Sequence, residues 1–254
     1  GYDNNNNHTA NASFQHATIE YSGYGIRSDN LGSNDSLTVT DSTVRNNGSG
    51  IKNSGSYSEG TVSVTNSLIA DNLGYGIAGS GWDEDHWTIT GNTITGNSNT
   101  AISLEGTWSA TVSDNVIADN GGDQGGVYFE YLKDDFVFSG NTVSNHARHG
   151  LYYSNGYDSD EPWATDSITV TNNTITGNNS SGITIRDDSN ADAVITGNTI
   201  TDGGAGIYVR NNDTNVQPTI RDNTITGNYS GIRTYGKVVP VIAETRIEDN
   251  NQGI

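Results

Sequence analysis

The chain has 254 residues, only 31% of them hydrophobic, with 30 acidic against 11 basic side chains and a net charge of −19. That charge repels nucleic acid and anionic membrane, so neither is an expected partner, and no apolar run is long enough to insert into a bilayer. Cysteine is absent, which removes disulfides, thiolate metal sites and a cysteine nucleophile together.

The start, Gly1-Tyr2-Asp3-Asn4, is polar and lacks the apolar stretch of an export signal. The end, Asn251-Gln252-Gly253-Ile254, stops in mid-pattern. Residues 1–254 are therefore read as one domain, a piece of a longer extracellular protein. The Asp-rich, Lys-poor balance suits a saline exterior, where ions screen self-repulsion, and resembles the proteins of halophiles.

From the N-terminus onward an aliphatic anchor recurs at Ile19, Val44, Ile69, Ile94, Ile117, Val143, Ile175, Ile200, Ile225 and Ile247. The intervals are 25, 25, 25, 23, 26, 32, 25, 25 and 22 residues. Five residues before each anchor stands a second apolar residue, from Phe14 to Ile242, and seven to ten after it a third, from Ile26 to Ile254. The flanking segments alternate with period two and are rich in Thr, Val, Ile, Asn and Gly, which excludes a helical solenoid. Three short strands per repeat cannot each bury a face alone, but coiling stacks them into three stripes around one interior. The expected fold is all-β: a single-stranded, right-handed parallel β-helix of about ten coils.

Asparagines recur two residues before the anchors (Asn92, Asn115, Asn141, Asn173, Asn198, Asn223) and three after (Asn47, Asn72, Asn97, Asn120, Asn178, Asn228, Asn250). Both columns fall at corners, where Asn tolerates left-handed backbone and can bond from coil to coil. Segments such as Thr88-Ile89-Thr90-Gly91-Asn92-Thr93-Ile94-Thr95-Gly96-Asn97 and its copy at 169–178 resemble the right-handed β-helix repeats of secreted polysaccharide lyases, glycoside hydrolases, uronan epimerases and surface proteins. The resemblance implies the fold along the whole chain. It does not imply an activity, because one solenoid carries many.

Long, varied insertions all fall at the corner after the third strand. They read Gly81-Trp82-Asp83-Glu84-Asp85-His86, Glu105-Gly106-Thr107-Trp108, Glu130-Tyr131-Leu132-Lys133-Asp134-Asp135, and the stretch from Tyr152 to Asp166. Ring faces stack on sugars while carboxylates accept from hydroxyls. Trp82, Trp108, Tyr131, Tyr157, Trp163, Glu105 and Glu130 are therefore glycan-binding candidates, as are Tyr128 and Tyr153. Trp87 is excluded, because its offset from Ile94 matches inward positions. The residues directly after the third apolar position, among them Arg27, Lys52, Tyr128, Tyr152, Tyr208 and Arg233, are expected to point outward.

The strongest catalytic candidate is the segment around His146, Arg148, His149 and Tyr152, which departs from the Gly/Ser/Asn corner composition. A lyase or epimerase needs a base, a proton donor and a cation for the uronate, and His149, Tyr152 and Arg148 offer all three. The clustered aspartates of the hydrolases and an epimerase Asp-Pro-His-Glu motif are missing. Asp83, Asp85, Asp158 and Asp160 are candidate calcium ligands, as are Asp187, Asp188 and Asp192, although none has the spacing of a known calcium loop. Two functions compete: a non-catalytic extracellular module that binds glycans or assembles at a cell surface, with polysaccharide or further copies of itself as partner, and a polysaccharide lyase or uronan epimerase using a groove along the loop edge.

Overall fold

The computed structural model describes residues 11–55, 59–80, 85–155, 167–187 and 192–254. Among them, strands form three parallel sheets of ten, ten and nine strands, each strand pairing with its counterpart one coil before and after. The chain thus winds as a right-handed parallel β-solenoid with nine complete turns. A tenth is begun by Val241–Ala243 and Arg246–Glu248. No helix among the described residues is long and apolar enough to cross a membrane.

The apolar periodicity sets the register. Phe14 pairs with Val39 in the first sheet, Ile19 with Val44 in the second and Ile26 with Ile51 in the third. The same positions still pair at the far end, as Ile220 with Ile242, Ile225 with Ile247 and Ile207 with Ile232. Each stripe faces inward, so Val44, Ile69, Ile94, Ile117, Val143, Ile175 and Ile200 are buried. At mid-length the interior is aromatic: the Phe136 ring lies 4.6 Å from Phe129 and 5.3 Å from Tyr153.

Two corners of the coil repeat one backbone feature. Each places one residue at positive φ, from His16 (52°) to Glu244 (50°) at the first and from Tyr21 (58°) to Asp249 (54°) at the second. Asn, Asp and Gly dominate there because they enter this region at low cost. Where Asp or Asn occupies one coil, Gly often follows in the next. A Cβ on Gly140 would sit 2.3 Å from Asp114 Oδ1, so the position needs glycine for space as well as for its φ of 67°.

The residue after each turn points inward and bonds along the axis. In the first column Asn115 N–H donates to Asn141 Oδ1 at 3.0 Å, and Asn141 N–H to Asn173 Oδ1 at 2.9 Å. Each amide also donates backward, Asn141 Nδ2 reaching the Val112 carbonyl at 3.0 Å. Ser42, Ser67 and Thr245 extend this column with hydroxyls, a role their sequence positions share with the asparagines. These ladders satisfy buried turn amides that the sheets leave unpaired. Among the described residues the third corner carries no ladder of this kind, and there the length of the chain varies most.

Candidate functional site

On the third sheet, alternation turns every second side chain outward. One outward column runs Arg27, Lys52, Ala78, Ser103, Tyr128, Tyr152, Thr184, Tyr208, Arg233, as the pairings place it. Two residues further along each strand, a second column includes Glu105, Glu130, Ser154, Arg186 and Arg210. The ends of the first column are exposed, but its centre is recessed: Tyr128 is 7% exposed and Thr184 2%.

Polar and aromatic groups converge at this recessed centre. Tyr128 stacks on Tyr152 with ring centroids 5.5 Å apart, and its hydroxyl donates to Glu130 Oε2 at 2.6 Å. Burial and the neighbouring Glu130 both raise the Tyr128 phenol, which stays protonated. Glu105 lies in register with Glu130. Partial burial, and next the Glu130 charge, hold its carboxyl above the ordinary range. The His149 ring lies 5.0 Å from Tyr152, and its Nδ1 is hydrogen-bonded to the Thr184 hydroxyl at 3.2 Å. Burial, then the adjacent Arg148 charge, push His149 down to about 4, so it is neutral at pH 7.

Several sequence candidates sit elsewhere. Tyr153, expected to contact glycan, is 0% exposed and packs on Phe136 inside the solenoid, because two residues past Leu151 the alternation returns inward. His146, expected near catalysis, is a rung of the second ladder. Its Nδ1 accepts from Asn120 N–H at 3.3 Å and its Nε2–H donates to the Ile117 carbonyl at 3.2 Å, reproducing the two contacts of an asparagine amide. Arg148 donates to the Asp123 carbonyl at 2.8 Å, bracing the corner. Asp85, a calcium candidate, is buried and accepts from Asn53 Nδ2 and from Gly60 N–H at 2.9 Å. Among the described residues no three His, Asp or Glu side chains converge as metal ligands. Trp108 is half-buried, with Nε1 donating to Asp134 at 2.9 Å and Lys133 lying 6.0 Å over its ring. Tyr131 is half-buried at positive φ, 56°. Trp82, Asp83, Tyr157, Asp158, Asp160 and Trp163 lie outside the described residues, as does Asp188.

The sequence profile of the family described as right handed beta helix region matches residues 3–161 and 161–254, essentially the whole chain. The chain belongs to the right-handed β-helix family. No curated protein matches it. Among solved structures this β-helix is similar to the crystal structure of pectate lyase Pel9A, at 11% identity and a TM-score of 0.47, covering 92% of this chain and 70% of that one. At that identity and score the likeness has no bearing on activity.

The two histidines buried among the described residues, His146 and His149, predict the acid response of the β-helix. Burial lowers both, so the folded state favours the neutral rings. The unfolded chain, with histidines near 6.5, binds protons that the folded chain refuses. Their contribution is complete above about pH 6.5 and is lost as pH falls below it, for His149 as pH approaches about 4. His146→Asn is expected to fold with nearly unchanged melting temperature at pH 7, because asparagine makes the same two contacts. With His149→Gln added, the decline between pH 6.5 and 4 should be shallower than in the wild type, as read by thermal melts across that range. Identical slopes would contradict this account.

Proposed function

We propose that this protein binds an extended glycan along the outer face of its third sheet, on an extracellular surface, without turning it over. The observation that carries the reading is the recessed row in which Tyr128, Tyr152, Glu105 and Glu130 repeat at coil spacing. A polysaccharide chain offers alternating apolar ring faces and hydroxyls, and aromatic rings beside carboxylates match both. Binding is favoured over lyase or epimerase chemistry by the state of the candidate catalytic groups. The His149 ring is buried and bonded to the Thr184 hydroxyl, and Arg148 donates to the Asp123 carbonyl at the corner.

An oligosaccharide array followed by titration calorimetry tests the proposal. Tyr152→Ala and Glu130→Gln should each weaken binding by about ten-fold, in line with the loss of a ring stack or a charge-assisted hydrogen bond. Both sites are half-exposed, so the melting temperature should barely move. Failure of any glycan to bind would defeat the reading. Unsaturated or epimerised products from the intact chain would replace it with the catalytic one.

A further inference from the structure

Cations are scarce in this protein, and several have carboxylates beside them. Arg27 pairs with Asp29, Arg45 with Glu20, Arg221 with Asp222 and Glu244, and Arg246 with Glu248. Toward the C-terminal end of the third sheet the pattern changes. Arg210 lies over the Tyr235 ring, 5.2 Å from its centroid, and Arg233 over the Tyr208 ring at 5.3 Å. Both tyrosines belong to the adjacent coil, in register with the arginine they carry.

The result is a checkerboard of Tyr208 and Arg233 in one outward column and Arg210 and Tyr235 in the other. Among the described residues, the one further polar contact of these arginines is a long one, from Arg210 Nε to Asn212 Oδ1 at 3.5 Å. Arg186 is the register partner of Arg210 on the preceding coil. With 30 acidic residues in the chain, it is notable that Arg210 and Arg233 have no carboxylate partner among the described residues. A ring beneath a guanidinium leaves its edge donors free to form two parallel hydrogen bonds to an oxyanion. Backbone held in register and two tyrosine-supported guanidiniums together describe a site whose electrostatics are completed by an incoming anion.

We infer that Arg210 and Arg233 form a subsite for an anionic group, carboxylate or sulfate, carried by the glycan that lies on this face. The inference rests on the glycan-binding reading and names the substrate class for it: an acidic polysaccharide, held at its charged substituents near the C-terminal coils and at its neutral sugar faces near Tyr152. The net negative charge of the protein opposes a polyanion at long range, and the two guanidiniums offset that repulsion locally, at contact distance, where salt screens the rest of the molecule.

The test compares one backbone in three forms by calorimetry: a neutral β-1,4-glucan oligosaccharide, its C6-oxidised uronate and its C6-sulfate. At least one charged form should bind about ten-fold more tightly than the neutral one, and that preference should fade with added salt. In the Arg210→Gln/Arg233→Gln variant the preference should shrink to within about two-fold, while Arg221→Gln, a paired arginine on another sheet, should leave it intact. A melting temperature within a few degrees of wild type checks that the double variant is folded, and Arg210→Lys/Arg233→Lys should restore part of the preference. Uronate bound over sulfate, or the reverse, identifies the anion. Equal binding of all three forms, or a preference that survives the double variant, overturns the anion subsite and leaves glycan binding standing. No binding of any form overturns both.

Discussion

Asn141→Ala is expected to destabilise the protein by roughly 2–6 kcal/mol, since it orphans two buried backbone groups at about 1–3 kcal/mol each. Asn141 Oδ1 accepts from Asn115 N–H, and its Nδ2 donates to the Val112 carbonyl. Neither partner can turn to solvent, because Asn115 and Val112 are both buried. Asn179→Ala is the control: its side chain is exposed at the same kind of corner, and the backbone N–H that bonds the His146 carbonyl is untouched. Urea titrations of the two variants should differ by more than about 1.5 kcal/mol. Equal losses would mean that the ladder adds no more than any exposed asparagine.

Ile200→Ala is the second large change, expected to cost roughly 2–5 kcal/mol. Ile200 is buried between Ile175 and Ile225 on the neighbouring coils. Its Cγ2 fills the space over Gly182, where a Cβ would come within 2.3 Å, so the glycine offers no side chain to close the cavity. Thr199→Ala, one residue away and exposed, should cost well under 1 kcal/mol. Like losses at the two sites would place the wrong face inward.

Most of the fold is legible in the sequence because coil-to-coil stacking forces identical burial on every repeat. Three apolar positions per coil, read at ten successive anchors, coincide with the register from Phe14↔Val39 to Ile225↔Ile247. The ladders are legible for the same reason, and His146 stands in the asparagine column by position, although its chemistry drew it toward a catalytic role. Tyr153 was within reach too: strict alternation from Leu151 turns it inward, but its chemical type suggested a surface. The recessed centre of the third sheet was harder to foresee. Exposure on an outward face depends on how far neighbouring side chains rise, as Tyr128 over its tyrosine and glutamate neighbours shows, and that is a property of three coils together. The Arg–Tyr checkerboard likewise needs the register between coils before either arginine can be set against its ring.

The first corner has one further consequence. Five residues separate the first and second interior positions in every coil, Phe14 to Ile19 as much as Ile242 to Ile247. Copy number is therefore a free variable of the molecule. Excising Thr174–Asn198, one period of 25 residues, joins Asn173 to Thr199 and recreates the Asn-Thr-Ile junction. Asn173 then takes as its acceptor Asn223, which had served Asn198, and the rung sequence closes without a gap. A lineage carrying this scaffold can lengthen or shorten its outer face in increments of about 4.8 Å by unequal recombination alone, with each product already in register.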